Sequence, residues 1–140
     1  MPERPTATRA SRAQRGSSML EMALVISMFL ALVFGIIDMS RAVWAYNTVA
    51  HLAGEGARYA MVRGSASGAT ATTDTVAAYV KGLSVGLPAS SLTVTTTWSP
   101  SKAAGSTVSV KVQYPFRYIL PYVPWGTVTL GSTARSVISQ

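Results

Sequence analysis

The chain of 140 residues has no cysteine, which excludes a disulfide framework and any thiolate zinc site. Histidine occurs once, at His51, and the acids are five in number, Glu3, Glu21, Asp38, Glu55 and Asp74, dispersed along the chain. Such scarcity leaves no histidine, carboxylate and nucleophile set to assemble. A phosphate-cradling glycine loop followed by lysine is missing, as is a GxSxG turn. The composition therefore predicts no catalytic residue, no metal site and no cofactor, and the chain is not expected to be an enzyme. His51, beside Leu52 in a helical pattern, reads as a solvated or locally hydrogen-bonded imidazole.

Charge is also sparse, at 12% of residues, yet the net charge is +7. Arg4, Arg9, Arg12 and Arg15 crowd the first sixteen residues against Glu3 alone. Setting that segment aside leaves eight basic and four acidic residues, scattered singly. No basic patch is interleaved with aromatics, so nucleic acid is not an expected partner.

What the chain does have is a sharp boundary. The basic stretch 1–16 ends at Arg15-Gly16, and Ser17 to Ile37 follows with Glu21 as its one charge. Arginines ahead of an apolar run fit the positive-inside rule and predict a cytoplasmic leader, in which Pro2 and Pro5 discourage helix. As a helix, residues 17–37 would be roughly 31 Å long, close to the hydrocarbon thickness of a bilayer. A carboxylate at the mouth of such a segment costs several kcal/mol unless paired. Either Glu21 rests among lipid headgroups, or it meets a counter-charge.

The helical pattern continues beyond the span. Val43, Tyr46, Val49, Ala50, Ala53, Ala57, Ala60 and Met61 recur at helical spacing. Gly54 and Gly56 weaken the helix locally, and Arg63-Gly64 begins a glycine-rich stop. A rod from about Ser18 to about Arg63 is expected, filling the segment 17–63. Asp38 with Arg41, and Glu55 with Arg58, each one turn apart, read as ordinary ion pairs. The first pair stands at the membrane exit, where it also sets the depth of the helix. Within the span Ala23, Ser27, Ala31 and Gly35 recur every fourth residue. This ridge is either the ordinary composition of such segments or a surface for close lateral packing against like helices.

Residues 64–140 predict an α+β head: one short helix packed on an antiparallel sheet of about three to four strands. Asp74 is the expected cap of that helix, with Val76, Ala77, Tyr79, Val80 and Leu83 on one side. Leu92 to Trp98 alternates as a half-buried strand with its even positions inward. Val108, Val110, Val112, Tyr114 and Phe116 do the same, and the polar turn 99–106 pairs the two strands antiparallel. A third strand starts near Thr127 with Val128 and Leu130 inward, and Gly131 is a candidate bulge. Between the second and third strands, 117–126 holds Ile119, Leu120, Tyr122, Val123 and Trp125 around Pro121 and Pro124. It is read either as a cover over the sheet or as an exposed contact loop.

On these residues the chain resembles a known family. Basic leader, Gly16, four residues, Glu21 and an apolar helix look like the processing site of type IV pilins and pseudopilins, which a prepilin peptidase cuts after the glycine. Phe34-Gly35-Ile36-Ile37-Asp38-Met39-Ser40-Arg41-Ala42 and then Glu55-Gly56-Ala57-Arg58 resemble the TadE-like proteins of the tight-adherence pilus system. Tyr114-Pro115-Phe116 and the segment from Gly126 to Arg135 are similar to the end of such proteins. Met22 stands where these pilins commonly have an aromatic, and Ser17 where many type IV pilins have phenylalanine.

The resemblance implies a minor pilin or pseudopilin of the bacterial inner membrane with its head outside. Its implied partners are the prepilin peptidase, other pilin subunits, the inner-membrane assembly platform and, before assembly, membrane lipid. Cleavage after Gly16 would create an α-amino group at Ser17, charged near neutral pH, as a counter-charge for Glu21. Gly16, Ser17 and Glu21 are thus the expected processing residues, and Glu21, Ala23, Ser27, Ala31 and Gly35 the expected assembly contacts. The alternative from another class is a stand-alone, membrane-anchored surface domain that binds through the 117–126 loop.

Overall fold

Residues 8–119 and 126–139 are described in a computed structural model, with side chains from residue 16 onward. A single helix, α1, runs from Thr8 to Met61 without a break. Its 54 residues extend about 80 Å at 1.5 Å each. It starts ten residues before the expected Ser18, inside the leader in which the prolines were expected to discourage helix. Pro2 and Pro5 lie ahead of Thr8, where they interrupt nothing, and Arg9, Ala10, Arg12, Ala13, Gln14 and Arg15 are mostly good helix formers. Gly54 and Gly56 do not break it either.

The second helix, α2, spans Thr73–Gly82. Its N-cap is Thr72, whose hydroxyl accepts from the Thr75 N–H at 3.2 Å while the Thr75 hydroxyl accepts from the Thr72 N–H at 2.9 Å. This reciprocal capping box supersedes Asp74, which falls in the first turn and favours the helix only through the dipole. Val76 and Val80 are its buried residues, and Leu83 just beyond is exposed.

Strands β1 (Thr93–Ser99), β2 (Thr107–Arg117) and β3 (Thr127–Val137) form one antiparallel sheet in the order β1-β2-β3. Even-numbered residues point to the helices and odd-numbered ones to the open side, as the alternation predicts. The β2 and β3 ladder keeps one register from Arg117↔Thr127 to Thr107↔Val137, with Gly131 directly opposite Gln113. Gly131 therefore marks no bulge. The chain end ties back to the rod, where the Ser139 N–H donates to the Met61 carbonyl at 3.0 Å.

Helix α1 lies across β2 and β3, and α2 packs against α1 and β1. The core is where they meet: Val49, Leu52, Val76, Val80, Val108, Val110 and Val112 are essentially inaccessible. On α1 the buried side is built from small residues, Ala45, Ala53, Ala57 and Ala60, so the sheet approaches the helix backbone closely. Leu120, Tyr122, Val123 and Trp125, which carry the contact-loop reading, lie outside the described residues; Ile119 just before them is exposed.

Candidate functional site

The lower part of α1 stands clear of the head. Every described residue from Gly16 to Leu32 is exposed, and the helix holds an 18-residue window of mean hydropathy 2.5 with none of it buried. A helix that is apolar all round and uncovered by its own protein belongs in lipid or against other helices. Among the described residues it is the one helix long and apolar enough to cross a membrane.

Glu21 sits on this exposed part, the fifth residue after Gly16, and makes no hydrogen bond or ion pair among the described residues. Ala23, Ser27 and Ala31 are exposed and Gly35 is half-buried. Ser27 donates its hydroxyl to the Ala23 carbonyl at 2.7 Å, so the one polar atom of the ridge is satisfied within its own helix. The ridge does not end at Gly35. Steps of three and four residues lead on through Asp38, Ala42, Ala45, Val49, Ala53, Gly56 and Ala60, the side that the head buries. One face of α1 is thus small along its length, covered by the sheet above Gly35 and bare below it.

Asp38 is the hinge between the two parts. It is 3% exposed, and both carboxylate oxygens accept the Ile119 backbone N–H, at 3.0 and 2.9 Å. Arg41 donates to it at 3.0 Å and lies over the Phe116 ring at 5.3 Å from the centroid. The expected pair one turn apart therefore forms, and the same carboxylate also latches the rod to the chain leaving β2. Sequence reasoning named both charged residues and missed Ile119, 81 positions away, because no local pattern identifies a distant backbone donor.

Glu55 and Arg58 do form the exposed pair expected, at 3.5 Å. Between them Gly56 and Ala57 are buried. A Cβ added at Gly56 would stand 2.8 Å from Val80 Cγ2 and 3.0 Å from Val110 Cγ1, so the glycine is the notch where α1, α2 and β2 converge. The signal for it was a glycine inside a helical pattern, which costs about 1 kcal/mol relative to alanine and so calls for a packing reason. His51 is exposed and lines a shallow cleft with Trp44, Leu83 and Val85, and no group of three or more metal-ligating residues occurs among the described residues.

Residues 16–58 match the model of the family described as TadE-like protein. Comparison with curated proteins and with solved structures gives no match. The matched stretch begins at the glycine before the apolar run and ends on the arginine beside the Gly56 notch, and over those residues the chain is similar to TadE-like proteins.

Proposed function

We propose that the chain is a minor pilin or pseudopilin that takes part in assembling a Tad-type pilus through lateral packing of its N-terminal helix. The observation that carries this is the overlap of the TadE-like segment with a membrane-length helix left bare by its own head. In this reading the helix is inserted in the bacterial inner membrane with the arginine-rich leader in the cytoplasm and the head outside. A prepilin peptidase cuts after Gly16. The freed α-amino group of Ser17 then pairs with Glu21 of a neighbouring subunit, relieving the cost of a carboxylate in an apolar setting. Ala23, Ser27, Ala31 and Gly35 let the helices close to van der Waals distance once lipid is left behind.

Co-expression with a prepilin peptidase, followed by N-terminal sequencing of the mature protein, tests the processing step. The expected first residue is Ser17, and any other start overturns it. Replacement of Glu21 by alanine is expected to leave cleavage largely intact and to impair piliation. Normal pili in that variant would reject the pairing.

A further inference from the structure

The apolar span ends at Ile37, and the residues just above it build a second feature. A cleft of about 380 Å³ opens at the span end of the head, lined by Arg41 of α1, by Tyr114 and Arg117 at the end of β2, and by Ser91. Among the described residues no carboxylate lines it. Arg117 is exposed and makes no ion pair among the described residues. Arg41 spends one N–H on Asp38 and keeps the rest of its guanidinium donors. Two guanidinium groups beside one carboxylate leave a net charge of one, which matches a phosphodiester. Arginine forks and hydroxyl donors are the groups that recognise phosphate oxygens.

Depth then selects the source of the phosphate. Arg41 lies four residues beyond Ile37, about 6 Å along a helix axis. The headgroup layer on each side of a bilayer is about 5–7 Å thick, the difference between its full and hydrocarbon thicknesses. The two bonds from Ile119 to Asp38 hold the end of β2 at the same level, which brings Arg117 there too. We propose that this cleft binds the phosphate of a phospholipid headgroup, seating the head on the membrane. The proposal rests on the membrane-spanning reading of α1 but on neither cleavage nor filament entry, so the N-terminal sequencing above can fail without touching it.

The test is native mass spectrometry of the full chain in neutral detergent, titrated with phosphatidylglycerol or with diacylglycerol of the same acyl chains. Phosphatidylglycerol is expected to remain bound and diacylglycerol to be lost. Arg117→Gln, which leaves the Asp38 latch alone, is expected to weaken lipid retention about fivefold, in line with the contribution of a single interfacial arginine. R41Q with R117Q should abolish the preference. Equal retention of both lipids, or no change in R117Q while its circular dichroism stays native, would overturn the proposal. Millimolar inorganic phosphate that displaces the lipid completely would overturn the lipid source and assign the cleft to free phosphate.

Discussion

The Asp38 carboxylate accepts the Ile119 backbone N–H through both oxygens, at 3.0 and 2.9 Å, and so joins the end of the apolar run to a residue 81 positions later. The bond ties the rod to the sheet at the point where the chain leaves the expected span. Replacing Asp38 by alanine leaves the Ile119 donor without its acceptor and Arg41 without its partner. A loss of about 1.5–3 kcal/mol is expected, the range for hydrogen bonds to charged groups. Asparagine, which keeps one acceptor oxygen, should lose less. Thermal unfolding of the full chain in detergent measures both, and an alanine variant as stable as the parent would remove the latch from the account.

Gly54 and Gly56 stand two residues apart on α1 and should respond oppositely to alanine. Nothing lies within 4 Å of a Cβ at Gly54, so alanine there should gain about 0.5–1 kcal/mol of helix propensity. At Gly56 the new methyl meets Val80 and Val110 at 2.8 and 3.0 Å. The strain of overpacking, about 1–3 kcal/mol, then exceeds the propensity gain. Adding Val80→Ala to Gly56→Ala should recover part of the loss, and the non-additivity of that double-mutant cycle is the measurement.

Thr96 faces the helices from β1 and is 6% exposed, with its hydroxyl oxygen unpartnered among the described residues. A buried hydroxyl without a partner costs about 1–3 kcal/mol, and valine has nearly the same shape and strand preference. Thr96→Val is therefore expected to raise stability by about 1 kcal/mol, read as a shift in urea midpoint with unchanged slope. A destabilised variant would show that the hydroxyl is satisfied after all.

Alternation of period two made β1, β2 and the start of β3 legible, because one side of each is covered at least in part by helices and the other faces solvent. Val108, Val110 and Val112 could not have been placed otherwise without moving Ser109 and Lys111 inward. Features decided by particular hydrogen bonds or by tertiary contact were not legible. Thr72 and Asp74 are both good capping residues two positions apart, and the reciprocal bonds with Thr75 settle the helix start. Thr72→Ala should accordingly cost about 1 kcal/mol in thermal unfolding, and Asp74→Ala only a few tenths. Gly131 resembled a bulge because glycine weakens a strand; pairing with Gln113 holds it in register. Likewise the ridge at Ala23, Ser27, Ala31 and Gly35 was visible as a spacing, but its continuation into the buried face of the head required the fold.

That continuity sets the sharpest test of lateral packing. The bare lower ridge and the covered upper ridge lie on one side of α1, so a neighbouring helix that fits the lower half occupies the place the sheet takes in the upper half. Ala31→Leu adds bulk in the middle of the lower ridge and touches nothing in the head, where Ala31 is exposed. Its expected effect is normal membrane insertion and an unchanged unfolding temperature, with filament incorporation reduced several-fold in sheared pilus fractions. Met22→Phe adds bulk on the opposite side of the helix, nine residues away at 100° each, and is expected to assemble like the parent. If the two substitutions reduce incorporation equally, crowding of the whole span and not the ridge governs assembly. If neither does, subunits are held together through their heads, and the small residues below Gly35 serve only the passage through lipid.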